Sequence, residues 1–557
     1  MLMKKNRFLL ILAALLTALL LVACSDNDTG TDPEEEDPDT TQTGDDVADG
    51  GDEEPELFEI GSEPLSLTMF GNYDWYTMPG WGDDPATANI KELYDIDIIS
   101  IDGGGNAAQR LSTMIVDGNL PDFIWTDKGA DVERLRAGGV LVPLDDYIEK
   151  YPNLKNWISE DALNMLRSED GKIYQFPNWY NDQPFGNAGW MVNKEIYEEL
   201  GSPTLVTTDD LYEYLKLVQE NYPDVVPLEV GVNAQGVNTI YSAFAEGFSP
   251  ADVGNQVARS GDQLTSLFDS EIYVESLKFA SKLFRERLLT QDALTQTRDD
   301  VVEKVHTGRV AVFIGASPTD FGGDGHYQLV RDNPDGGYMF VNPIHKEGLD
   351  PNAIHPGDYN QTGWNVSVIT TSAEDPERVF AFLDWLTGPE GQMLSMYGAE
   401  GEYWDGWVEE GVLPNFTDKY VSDPEGLTEI NNGTLNFQWN GNSKFLDNAK
   451  AAFELQLPED EINWTTFWQH EILWETQKDE TEFVGIGPLP DSEEAIVSQR
   501  VGEIFEEYRA KALMASSDED VESVLAEAHE QAMAVGYQTL LDWKTEKWQE
   551  NLDRLGN

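Results

Sequence analysis

Six histidines, His306, His326, His345, His355, His470 and His529, are the first candidates for catalysis or metal binding. No two stand at the i, i+4 spacing that turns both imidazoles to one helix face for zinc. His470-Glu471 and His529-Glu530 begin such a pattern but lack the second histidine. No G-x-S-x-G elbow supplies an activated serine, and the single cysteine, Cys24, lies near the N-terminus. Paired carboxylates for glycoside hydrolysis discriminate nothing, because 104 acidic residues guarantee close pairs somewhere. Binding asks for less than catalysis. A sugar presents flat C–H faces and a rim of hydroxyls, so its site wants aromatic platforms edged with carboxylates, amides and a few cations. Four groups of residues supply these: Trp75 and Tyr76; Trp125, Asp127 and Lys128; Asn178, Trp179, Tyr180 and Asp182; Trp364 and Asn365. About half of the aromatics are expected to fill cores or coat the surface instead.

The elements that position these groups follow from periodicity. Residues 65–70 alternate as a strand and lead into a loop carrying Tyr73, Trp75, Tyr76 and Trp81. A helix over 84–94, a strand over 96–101 and a helix over 106–116 follow, the last opened by Gly103-Gly104-Gly105. This β-α-β-α alternation predicts a mostly parallel sheet with helices on its faces. Ligands of open α/β sheets sit at the carboxyl ends of strands, where these loops fall; Trp125 is placed just past one such end. Gly103, Gly105 and Ala108 match the dinucleotide pattern G-x-G-x-x-A, but so short a pattern recurs by chance, and no cofactor or metal is expected.

Lys4, Lys5 and Arg7 precede an apolar run from Phe8 to Val22 broken only by Thr17, the n- and h-regions of a secretory signal. The run is shorter than the roughly 20 residues of a membrane span, and Ala23-Cys24 resembles a bacterial lipoprotein cleavage box. That likeness implies removal of residues 1–23 and acylation of Cys24. Residues 25–56 contain 15 acids, no Lys or Arg, and almost no apolar side chain, the composition of an extended tether, assigned to 24–60. An acidic tail recruiting a basic partner is the alternative. Without the tether acids and the three signal cations, 32 basic side chains face 89 acidic ones, a net of −57. Such a surface excludes nucleic acid as a partner, since phosphate binding needs clustered Lys and Arg. It suits a saline or alkaline exterior. With 40% hydrophobic residues and one cysteine, stability rests on burial, and roughly 500 residues exceed a single core, so two lobes are expected.

Several stretches together resemble the extracellular solute-binding proteins of bacterial ABC importers, in the branch that binds sugars and oligosaccharides. Gly118, Pro121 and Asp122 form the family's "small-Gly-x-x-Pro-Asp" turn into an apolar strand, and Gly139, Leu141, Pro143, Leu144 and Asp145 its "G-x-L-x-P-L-D" segment. Gly171, Lys172, Tyr174 and Pro177 are similar to "G-K-x-Y-x-x-P", and Asn193-Lys194 to the strand that begins the second lobe. Residues 307–313, 375–386 and 397–403 continue the likeness, which covers most of residues 64–410. One departure concerns the acidic calcium loop of some large members. This chain reads Pro223-Asp224-Val225-Val226-Pro227 there, without alternating oxygen ligands, so no calcium is expected at that position.

The resemblance implies a two-lobed α/β fold, periplasmic-binding-protein-like (type II), with a hinge and an interlobe ligand cleft. Lobe 1 is expected over 61–185 and 350–402, and lobe 2 over 186–349 and 403–557, with chain crossings near 181–189, 345–357 and 400–405. It implies capture of an oligosaccharide and delivery to permease subunits, by a non-enzymatic monomer on the outer face of the cytoplasmic membrane. It also implies that positions such as Trp125 and Asp127 face the ligand. A secreted carbohydrate-active enzyme and a peptide or polyol binder on the same scaffold are the alternatives. Trp404, Trp407, Trp439, Trp464, Trp468 and Trp474 are expected mainly in cores. The C-terminus reads as one long amphipathic helix capped by Ser517, with Val521, Leu525, Ala528, Ala532, Val535, Thr539 and Trp543 on one stripe that packs on a lobe. Contact of that helix with the permease or with a second copy is the other option.

Overall fold

A computed structural model describes residues 57–433, 439–458, 461–489 and 492–556. The signal, Cys24 and the tether through Glu56 lie outside these residues. Phe58 and Ile60, assigned to the tether, pack against the first core instead.

Strands are numbered in chain order. β1 (Leu65–Gly71) pairs in parallel with β2 (Ile96–Ile101) and β3 (Phe123–Thr126). β12 (Val366–Ile369) joins antiparallel to β3 and to β4 (Gln175–Pro177), giving the order β2-β1-β3-β12-β4. Period-two alternation sends Leu65, Leu67, Met69, Phe123 and Trp125 into one core, and Phe70 and Ile124 into a smaller core on the other face with Leu111, Val366 and Val368. The helix Pro85–Tyr94 starts as expected, Asp84 capping the amides of Ala86 and Thr87.

A second sheet runs β10-β5-β9-β6, from β5 (Gly189–Asn193), β6 (Val226–Glu229), β9 (Val310–Gly315) and β10 (Tyr338–Val341). Only the β6–β9 pair is parallel. Both sheets are therefore mixed: β1, β2 and β3 run parallel as the β-α-β-α alternation predicts, and the antiparallel pairs enter with strands that join from elsewhere in the chain. The reason is topological: strands such as β12 return to their sheet from the other half of the chain and so run against their neighbours.

Two small hairpins are appended, β7 (Val257–Ser260) with β8 (Gln263–Ser266), and β13 (Trp404–Glu409) with β14 (Leu413–Phe416). The chain passes between the sheets after β4, between β10 and β12, and a third time between Phe453 and Trp464. The third passage differs from the one expected at 400–405. Trp404, Phe416, Trp439 and Phe445 lie in the first sheet's core, whereas Trp464 and Leu473 lie in the second's, so residues 404–433 and 439–453 pack with the first half. A parallel pair, β11 (Gly357–Tyr359) with β15 (Gln477–Asp479), ties the passages together. Gln477 donates through Nε2 to Ala188 O at 3.1 Å and to Leu473 O at 2.8 Å.

The C-terminus is three helices, Glu493–Leu513, Asp518–Ala534 and Tyr537–Arg554. Ser517 caps the middle one through the Asp520 amide, and Val521, Leu525, Ala528 and Ala532 are buried as the stripe predicts. The single long helix is not formed. Gly536 at φ 105° takes a left-handed turn that a helix cannot contain, and Thr539 and Trp543 belong to the next helix.

Candidate functional site

The first wall of the site grows from one edge of the first sheet. Because β12 runs antiparallel to β3, with Val366 opposite Thr126, the residues before β12 emerge where those after β3 do. Trp364 and Asn365 thus meet Asp127 and Lys128, and the loop after β1 folds over the same edge. Gly363, at φ 73°, makes the crossing possible: a Cβ there would sit 2.1 Å from Asn178 O. Trp364 N then donates to Asn178 O at 3.1 Å.

Five rings gather at this edge. Trp125 is fully buried, and Tyr73 and Tyr76 lie against it with centroids at 4.5 and 4.8 Å. Trp75 and Trp364 stand edge-on to Trp125, at 85° and 87°, and are nearly parallel to each other, 14° apart with centroids at 6.2 Å. They remain 57% and 49% exposed, which leaves two large apolar faces in water. Tyr73 Oη donates to Asp127 Oδ1 at 2.7 Å and accepts from Asn365 Nδ2 at 3.0 Å, fixing the rim. Burial, then the Asp127 bond, raises the Tyr73 hydroxyl far above its ordinary range, so it stays protonated.

Lys128 Nζ bonds to Thr362 Oγ1 at 2.8 Å, to Asn360 Oδ1 at 3.3 Å and to Gly363 O. Burial pushes its pKa down to about 7, against the raising effect of Asp127. It pins the 360–363 loop that carries Trp364.

The facing wall is built on the short helix Pro250–Gly254 and the segment around β15. Arg259 on β7 bonds through Nε to Asp252 Oδ1 at 2.7 Å, through Nη1 to Glu482 Oε1 at 3.3 Å, and through Nη2 to Glu480. Glu480 also accepts from Ser249 Oγ at 2.7 Å and Lys478 Nζ at 2.8 Å. Asp252 and Glu480 are buried, and desolvation raises the Asp252 pKa despite Arg259. Asp358 on β11 still exposes its side chain, yet desolvation by the cleft walls, then Glu480 and Asp252, lift it to about 6. The last helix buttresses this wall: Lys544 Nζ holds Asn255 O at 2.6 Å, and Asn551 Nδ2 holds Glu482 O and Val484 O at 2.8 and 2.7 Å.

Between the walls lies a cavity of about 360 Å³, with Asp127, Lys128 and Trp364 on one side, Asn255, Glu480 and Phe483 on the other, and Asp358 and Tyr359 between them. Its size and its mixture of apolar faces with a few polar groups fit a small-molecule or oligomer subsite. Over residues 85–393 the chain matches the profile of the family described as bacterial extracellular solute-binding protein. The chain belongs to that family. A relative in Bacillus subtilis (strain 168), the polygalacturonan/rhamnogalacturonan-binding protein YtcQ, is 25% identical over 329 residues, 58% of this chain and 62% of its own length. The chain thus spans less than two thirds of that relative. Among solved structures, the alginate-binding protein AlgQ2 without calcium ion superposes with a TM-score of 0.66 at 16% identity, over 88% of this chain and 99% of that one. The Streptococcus pneumoniae substrate-binding protein FusA in complex with kestose gives 0.64 at 17% identity, over 87% and 99%. The fold is the two-lobed α/β fold of such solute-binding proteins. Among the described residues no helix is long and apolar enough to cross a membrane, and no cluster of three or more His, Cys, Asp or Glu could hold a metal.

The family fold brings only some of the expected residues to the cleft. Asp127, Lys128 and Trp364 line it, and Trp75 stands beside Trp364 just outside the lining. Trp125 is not a face for a ligand: β3 runs on to Thr126, so alternation turns Trp125 inward beside Phe123, and it supports the platform from below. Tyr76, Asn178, Tyr180 and Asn365 are also buried, Tyr180 with its hydroxyl 3.0 Å from Thr387 Oγ1. Trp179 packs against the first core beside Gly441, and Asp182 is paired with Lys444 at 2.6 Å. Arg259, Asp358 and Glu480 were not legible in advance, since they come from segments far apart in sequence that carry no short motif. Tyr73 was visible in its aromatic loop, and its partner Asp127 lies 54 residues away.

Proposed function

We propose that this protein is the receptor of a carbohydrate ABC importer, capturing an oligosaccharide between the two walls and handing it to permease subunits driven by a separate ATPase. It acts as a monomer, without turning its ligand over, and is held at the outer face of the cytoplasmic membrane by acyl chains, palmitate among them, on Cys24. The observation that carries this reading is the pair of exposed, nearly parallel indoles of Trp75 and Trp364, edged by Asp127 at the mouth of a cleft between two lobes. Pyranose rings stack on such faces while their hydroxyls pair with the polar rim. The ligands named for the relatives, polygalacturonan, alginate and kestose, are all carbohydrates and agree with it. Closure about the three chain passages would let a bridging ligand favour the closed state.

The test is a thermal-shift screen against oligosaccharides with product analysis of the same samples. Ligand at 100 times its Kd should add about 2.7 kcal/mol of stability, with the saccharide recovered intact. Release of shorter products would favour the enzyme. Separately, Cys24→Ser should free the protein from membranes or leave its precursor uncleaved. Unchanged membrane retention would remove the anchor from the account.

A further inference from the structure

Resting on the carbohydrate reading, we propose that the cleft selects saccharides without carboxylate groups, neutral or amino-bearing, and turns uronate chains away. Three carboxylates line it, those of Asp127, Asp358 and Glu480. Glu480 is only 3% exposed; its Oε1 is taken up by Ser249, Lys478 and Arg259, while its Oε2 is buried without a hydrogen-bond partner. A buried carboxylate oxygen in that condition asks for a donor, which a sugar hydroxyl or ammonium provides and a second carboxylate does not.

The cations that would receive a uronate are already occupied. Among the described residues lining the cavity, Lys128 is the one cation, and its three acceptors use all three of its N–H donors. Arg259 behind the wall is divided among Asp252, Glu480 and Glu482, and Lys478 is held by Glu480. The cavity does not turn basic farther along. An adjoining space of about 430 Å³ that shares Lys128, Val484 and Gly485 is lined by five glutamates against three further cations, Arg167, Lys547 and Arg554. Of these, Arg167 is paired with Asp145 and Lys547 with Glu550. The third, Arg554, has no ion pair among the described residues, and it lines that space rather than the cavity. A uronate entering the cavity itself would shed its water beside three carboxylates with the cavity's one cation, Lys128, already committed, the repulsion by which binding sites reject wrong partners. This would set the protein apart from the B. subtilis relative, whose named ligand, polygalacturonan, is a polyanion.

Calorimetry of the full-length chain in detergent would compare two arms of equal length: maltotetraose, xylotetraose, nystose and tetraglucosamine against tetragalacturonate, tetramannuronate and a hyaluronan tetrasaccharide. The tightest ligand should fall in the first arm, with every acidic saccharide weaker by about tenfold or more. An acidic saccharide binding as tightly as the best neutral one would overturn the inference and leave the carbohydrate reading standing. Binding in neither arm would overturn the carbohydrate reading, and this inference with it. Asp127→Asn, at the exposed rim, and Glu480→Gln should each narrow the gap by several-fold. Should Glu480→Gln fail to fold, an unchanged gap in Asp127→Asn alone contradicts the proposal.

Discussion

One wall of the cleft is aromatic and stands on the first sheet, with Trp75 and Trp364 outermost over Tyr73, Tyr76 and Trp125. The wall across from it is ionic, with Arg259 set among Asp252, Glu480 and Glu482. The contrast divides the labour of recognition. Aromatic faces supply non-directional burial and tolerate sliding, whereas a network of charges fixes direction and penalises a wrong sign. Each wall is also tied to a different core, so damage to one need not pass to the other.

The largest effects should come from the residues beneath each wall. Trp125→Ala opens a cavity under the aromatic platform and should cost about 3–5 kcal/mol of stability in a denaturant melt. A loss well under 1 kcal/mol would mean the platform stands without it. Arg259→Ala leaves Asp252 buried and uncompensated and Glu480 with Lys478 as its one remaining cation, and should cost a similar amount, about 3–5 kcal/mol. A neutral result there would show that the ionic wall is spectator charge.

A smaller effect belongs to Asp358. Its folded pKa of about 6 exceeds the ~3.9 of an unfolded Asp, so the folded state holds the proton more tightly. Its contribution is therefore most favourable below pH about 4 and is lost as pH rises through about 6. Asp358→Asn should remove that decline, read as the difference between the two proteins' stability curves, and modestly so because the side chain reaches water. The smallest effect should follow deletion of residues 1–56. Ligand affinity should then stay within about tenfold, or 1.4 kcal/mol, of the full chain.

Much of the first half was legible because its signals are local. Alternation placed β1 and β2, the helix expected over 84–94 is found at Pro85–Tyr94, and the glycine and proline turns carried the family resemblance. The boundary of β3 was not, and its two extra strand residues, Trp125 and Thr126, moved Trp125 from the cleft to the core. The ionic wall was hidden for another reason: Arg259 and Glu480 are 221 residues apart, and no local pattern links them. The break at Gly536 separates two stripes, each amphipathic on its own, so periodicity reads across it.

The central claim is that Trp75 and Trp364 are the faces on which the ligand stacks. Both are about half exposed, so removing them together should disturb stability little while stripping the apolar half of the site. The direct measurement is the affinity of the Trp75→Ala, Trp364→Ala double variant for the best oligosaccharide of the screen, taken with its melting temperature on the same samples. A melting temperature within a few degrees of wild type, with binding weaker by about a hundredfold or more, is the predicted result. Wild-type affinity in that folded variant would contradict it.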